Sequence, residues 1–146
     1  MAAGLAVLDV IDEENLQENA RVVGGRFLEG LQKLQRQHRL VRHVRGLGLM
    51  LGVELADPET GAPAPGPTLE VLEATREMGV LLGKGGLDGN VLRIKPPLCI
   101  TAEDVDFALD VLDRALERAH RLGSSLPPPG LGQCQADRLS RSQEIL

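Results

Sequence analysis

Apolar positions recur at two periods along the chain, and the switches between them mark its elements. From Leu16, the residues Ala20, Val23, Phe27, Leu31 and Leu34 follow at spacings of three and four, which predicts a helix with one apolar stripe. Gly24, Gly25 and Gly30 interrupt that stripe; they lower its helix propensity but permit close packing or a kink. Val41 to Arg45 is a short extended candidate, Gly46-Leu47-Gly48 a bulge or tight bend, and 49–55 the clearest strand. Glu54 is the exception in that apolar run: it either orients Arg45 or another cation, or faces solvent on an edge strand. The Pro- and Gly-rich run 57–67 predicts a loop. Residues 68–78 then read as a helix with Leu69, Leu72 and Thr75 or Arg76 on successive turns, and Gly79 marks its end.

Residues 80–82 and 91–94 read as strands of a hairpin with an enlarged loop, since Asp88-Gly89-Asn90 carries turn chemistry. Pro96-Pro97 stops the second strand. Thr101 is a good N-cap with Asp104 three residues on, a shortened capping box. Val105, Ala108, Leu109, Leu112, Leu116 and Ala119 follow as a long stripe, acidic residues early and Arg114, Arg118, His120 and Arg121 late. That gradient matches the helix dipole.

At the front, Ala2 to Ile11 reads as a short helix apolar on most sides, which needs cover from other structure. It is either a buried terminal helix or a segment cut from a longer polypeptide, and the second reading is preferred. Asp12-Glu13-Glu14-Asn15 places negative charge where the second helix is expected to begin. After Gly123 the core period is lost, and 123–146 reads as a low-complexity or disordered tail. The expected fold class is therefore α+β, a small, mainly antiparallel sheet covered by helices. Residues 1–14 form a helical connector and 15–122 the compact domain.

Composition narrows the function classes. Aromatics are 1% of the chain, so stacking platforms for bases are absent. The net charge of -5 disfavours a general polyanion binder; nucleic acid is not an expected partner. No apolar run reaches membrane-spanning length. Cys99, in an apolar run, reads as a small core residue, and Cys134 lies in the tail; they make neither a disulfide framework nor a metal spacing. His38, His43 and His120 sit among Arg and Lys, not carboxylates, which disfavours zinc.

Two places carry candidate chemistry. Gly83-Lys84-Gly85-Gly86 lacks the ending of a phosphate loop and no helix clearly follows it. It is either a plain turn or a sharp loop through which Lys84, Gly85 and Gly86 adjoin a site. Arg93 stands inside the strand-forming run Asn90-Val91-Leu92-Arg93-Ile94-Lys95. It is either an ordinary arginine on the polar face of a strand or a held guanidinium that clamps a carboxylate through two parallel hydrogen bonds.

Three segments together, Ala2 to Ile11, Val44 to Leu55 and Val91 to Thr101, resemble the C-terminal part of class III, fold-type I pyridoxal-phosphate aminotransferases, nearest the alanine–glyoxylate aminotransferase 2 subfamily. The resemblance covers about residues 2–120, and it is the three in order that make it specific. It implies a C-terminal small domain that closes over substrate, with Arg93 holding the carboxylate of an amino or keto acid. It also implies pyridoxal phosphate in the full-length enzyme, a homodimer, and a mitochondrial location or otherwise a cytoplasmic one. Related phospho-lyases tend to carry Lys at the position of Arg93, so the Arg leans toward transamination. The family's cofactor lysine lies in a large domain, and Lys33, Lys84 and Lys95 match no such position. The chain alone is thus expected to bind no cofactor, to contain no catalytic residue and not to transaminate. A standalone ligand-binding or interaction module and a phospho-lyase portion remain the alternatives.

Overall fold

The apolar stripes close on one another from one side of a four-stranded sheet. The structure, a computed structural model, describes residues 2–123, with side chains to 121. The elements run α1 (Ala2–Glu13), α2 (Leu16–Gln37), β1 (Val41–Leu47), β2 (Met50–Leu55), α3 (Pro65–Glu77), β3 (Gly83–Gly85), β4 (Val91–Ile94) and α4 (Ala102–Gly123). The sheet order is β1-β2-β4-β3 and every pairing is antiparallel. The fold is α+β, as the pattern of periods predicts. The tail expected over 123–146 lies almost wholly outside the described residues.

Each helix is placed by its stripe. Val23, Phe27, Leu31 and Leu34 of α2 are buried, as are Val105, Leu112, Leu116 and Ala119 of α4. They meet Leu51, Val53, Leu55, Leu92 and Ile94 from one face of the sheet. Burying each such leucine or phenylalanine contributes about 1.5–3 kcal/mol. The glycines of α2 serve close packing: a Cβ at Gly24 would strike the backbone of Gly48, and one at Gly30 the side chain of Leu109. Gly48 carries φ 55 as the first of two residues between Leu47 and Met50, the position where a type II′ hairpin needs glycine. The cap of α4 is complete: Thr101 Oγ1 donates to Asp104 Oδ2 at 2.9 Å, and the Asp104 amide donates back to Thr101 Oγ1 at 3.2 Å.

Several boundaries and faces differ from expectation. Asp12 and Glu13 end α1 instead of opening α2, and the break falls at Asn15, whose φ of 52 ends the first helix. α3 begins at Pro65, inside the expected loop, because proline at the first helical turn loses no hydrogen bond. Its buried face is Thr68, Val71, Ala74 and Thr75, while Leu69 is exposed. The two threonines can go inside because each hydroxyl donates within its own helix, Thr68 to the Ala64 carbonyl and Thr75 to that of Leu72. The strand expected at 80–82 begins three residues later. The Val80 amide still donates to the Thr75 carbonyl at 2.8 Å, closing α3, so the chain joins the sheet only at Gly83. Cys99 is exposed, not a core residue, since the segment after Pro96-Pro97 turns over the surface. β2 is an interior strand, which removes the edge-strand reading of Glu54. α1 packs on α2 alone, none of its residues is buried, and Leu5, Val7 and Leu8 stand exposed.

Candidate functional site

Side chains alternate across a pleated sheet, so the face opposite the core is set by register. One row of that open face reads Arg45, Gly52, Arg93, Gly83 across all four strands. The row beside it begins His43, Glu54, Val91, Gly85. Arg45 donates to Glu54 Oε2 at 2.7 Å, the orienting role expected for that carboxylate. The pair neutralises one end of the row. Arg93 is exposed, and its guanidinium has no hydrogen-bond or ion-pair partner among the described residues. It is therefore the uncompensated cation of this row, with its guanidinium N–H donors available.

The backbone around Arg93 is fixed at both ends. Upstream, Asn90 is buried and clamps β4 to the end of β2: its Nδ2 donates to the Leu55 carbonyl at 2.9 Å, and its own carbonyl accepts the Leu55 amide at 2.8 Å. Downstream, Asn19 on α2 donates through Nδ2 to the carbonyls of Leu98 at 2.7 Å and Ile100 at 3.0 Å. That pins the segment leaving β4, which leads directly into the cap of α4. Ile94 and Leu92, on either side of Arg93, are buried in the core. Neither asparagine stood out in the sequence. Asn90 read as turn chemistry and Asn19 as one more polar residue of a helix; only the fold brings Asn19 to a loop some eighty positions away.

The other sequence candidates fall in different places. Lys84 and Gly85 belong to β3 instead of a loop, and the turn begins at Gly86 with φ 84. Lys84 pairs with Leu92, so its Cβ leaves the sheet on the side opposite Arg93, at the exposed edge. Gly85 pairs with Val91 and shares the open face. Lys95, beyond the strand, lines an open groove of about 540 Å³ with Arg21, Leu47, Met50 and Pro96; Arg93 does not line it. His38 is beside a carboxylate after all: its Nε2 lies 2.5 Å from Asp113 Oδ1, joining the end of α2 to α4. That contact ties two helices far from the open face. Among the described residues no group of His, Cys, Asp or Glu is arranged to hold a metal ion, and no helix is long and apolar enough to cross a membrane.

A sheet face with one held, unpaired arginine can orient a carboxylate. Of the other charged or titratable groups in those two rows, Glu54 is paired with Arg45, and His43 stands exposed beside it.

The family model "Aminotransferase class-III" matches residues 1–116. The alanine–glyoxylate aminotransferase 2 homolog 2, mitochondrial, of Arabidopsis thaliana is 50% identical over 117 residues, 80% of this chain and 24% of that protein. A phospholyase from Arthrobacter in complex with phosphoethanolamine superposes with a TM-score of 0.77 at 35% identity, covering 86% of this chain and 28% of that one. An amine transaminase from an uncultivated Pseudomonas species, in its PLP-bound internal aldimine form, gives a TM-score of 0.72 at 35% identity, covering 81% and 27%. The chain thus spans about a quarter of the length of these relatives.

Proposed function

The chain belongs to the class-III aminotransferases, and from that premise we propose that residues 15–122 are the substrate-orienting C-terminal portion of an enzyme moving an amino group between an amino acid and a keto acid. Alanine and glyoxylate are the first pair to test, since they name the activity of the Arabidopsis relative. The observation that carries the reading is Arg93: a guanidinium in a strand fixed at both ends, on an open face, with no protein partner among the described residues. Bidentate binding there would fix the orientation of a carboxylate as well as its charge.

Pyridoxal phosphate, when bound, supplies the electron sink that makes amino-group transfer feasible. On this reading its site lies outside the described residues of this chain. Lys33, Lys84 and Lys95 are all exposed, and none stands in an enclosed cavity that would keep water from a bound carbonyl group. That exposure supports placing the cofactor lysine in a domain other than residues 15–122, and on this reading the chain by itself does not transaminate. α1, apolar yet nowhere buried, is the surface on which such a domain would rest. On this reading the working enzyme is a homodimer, and the names of the mitochondrial relatives support the mitochondrion as its compartment, with the cytoplasm as the alternative.

The test joins this chain to the cofactor-bearing part of the Arabidopsis relative. Arg93→Ala is expected to lower kcat/KM for alanine and glyoxylate by roughly 10- to 100-fold, the worth of a charge-assisted pair of hydrogen bonds. An unchanged efficiency would remove the role given to Arg93. The likeness to the phospholyase favours a second reading, in which the assembly releases inorganic phosphate from phosphoethanolamine. Phosphate release without amino transfer would decide for it.

A further inference from the structure

We infer that Gly83 is a positioning residue for Arg93, present so that the guanidinium can lie over the β3 side of the sheet; this rests on the reading of Arg93 as the carboxylate clamp. Arg93 is flanked in its row by two glycines, Gly52 on β2 and Gly83 on β3. The two are not equivalent. A Cβ built on Gly83 would lie 3.1 Å from Arg93 Nε and 3.3 Å from Nη2. A Cβ on Gly52 would meet only Val91 Cγ1 at 3.6 Å and the Arg45 carbonyl at 4.0 Å. The arginine thus leans away from β2, and a side chain at position 83 would press on Nε and Nη2 and move them by a few tenths of an ångström or more.

Nothing in the backbone requires glycine there. Gly83 is not among the positive-φ glycines, whereas Gly86 and Gly89 are. It pairs in an ordinary antiparallel ladder with Arg93, and glycine in a strand weakens it. A β-branched residue would suit the strand better. The choice of glycine costs the strand something and gives the guanidinium its place. A larger residue would push Nε and Nη2, the atoms of one side-on carboxylate fork, out of their present orientation.

Position and stability should therefore respond with opposite signs. In the full chain, Gly83→Val is expected to leave the thermal midpoint unchanged or raised, while the Arg93 Nε–Hε resonance, identified by its loss in Arg93→Lys, shifts. In the enzyme assembled with the cofactor-bearing part of the Arabidopsis relative, Gly83→Val should lower kcat/KM for alanine by about tenfold or more, and that for an amine without a carboxylate by less than about twofold. Gly83→Ala should act in the same direction and less. Gly52→Ala, whose methyl meets no atom of Arg93, should change neither substrate by more than about twofold. The inference is overturned if Gly83→Val spares alanine while Arg93→Ala does not, or if it lowers the midpoint and both substrates alike. An Arg93→Ala enzyme with undiminished alanine efficiency would instead fell the underlying reading, and this one with it.

Discussion

Replacing Asn90 by aspartate keeps its shape and reverses the sense of one buried contact. Asn90 is 6% exposed, and its Nδ2 donates to the Leu55 carbonyl at 2.9 Å. That carbonyl also accepts the Ala64 amide at 3.2 Å. Asn90→Ala therefore removes one hydrogen bond without orphaning its acceptor, and about 1–2 kcal/mol should be lost, including the small void. Asn90→Asp leaves no void but sets a carboxylate oxygen against a carbonyl oxygen in a site with little water. About 3 kcal/mol should be lost at neutral pH. Burial and the facing carbonyl raise the pKa of the introduced carboxyl above its unfolded value, and its protonated form can donate to Leu55. Relative to wild type the deficit should thus be greatest at pH 7. It should shrink as pH falls through the raised folded value and be smallest below the unfolded value near ~4. With no Trp or Tyr in the chain, urea unfolding is followed by circular dichroism of the helices. If Asn90→Asp is no less stable than Asn90→Ala at pH 7, or their difference does not narrow toward pH 4, the clamp reasoning fails.

Adjacent glycines of α2 should respond oppositely to the same change. Gly24→Ala forces a methyl into the backbone of Gly48, which cannot rotate away, and should cost about 2 kcal/mol even after the better helix propensity of alanine; Gly25→Ala meets nothing within 4 Å and should stabilise by about 0.5–1 kcal/mol. Equal shifts in the urea midpoint would refute the packing given to Gly24. On the acid side, the Arg26 guanidinium hydrogen-bonded to Asp106 lowers that carboxyl from its ordinary range. The Thr60 amide and hydroxyl, with the Glu59 amide, do the same to Asp57. The stability these groups contribute is whole above the ordinary carboxylate value and is lost as pH falls through the lowered folded values. Asp106→Asn should flatten stability against pH below about pH 4 and change little at neutrality, where the exposed pair is screened; an acid limb as steep as wild type's would refute it.

The elements with strong periods were legible because one physical cause dominates each. α2 and α4 follow their stripes nearly residue by residue, and the Thr101–Asp104 box forms as its spacing implies. The misses fall where a second cause competes. At α3 the pattern of large apolar residues pointed to Leu69 and Leu72, but threonines whose hydroxyls close on their own helix can be buried almost as readily as valine. At 80–82 an apolar run suggested a strand, yet the end of α3 still holds the chain by the Val80 amide. Cys99 sits in an apolar run that two prolines have already turned out of the sheet. In each case, local composition described the residues correctly, and the backbone direction decided where they went.

The site was legible in a different measure. Arg93 could be singled out because it interrupts an apolar strand between a turn and two prolines, which is a one-dimensional signal. What surrounds it is two-dimensional. Arg45, Gly52, Arg93 and Gly83 lie at most 48 positions apart in sequence and form one line only once three strand registers are known. Periodicity assigns a residue to a face; it does not assign it to a row. That is why Gly83 read as part of a loop and Gly52 passed without remark inside the strand 49–55. The row also explains why the polar-face reading of Arg93 and the binding reading do not compete. Alternation puts Arg93 on the open face, as for any surface arginine. There Glu54 answers Arg45, and no described residue answers Arg93. A surface arginine without a task gains from a neighbouring carboxylate, and Glu54, in the adjacent row of the same face, is paired with Arg45 instead.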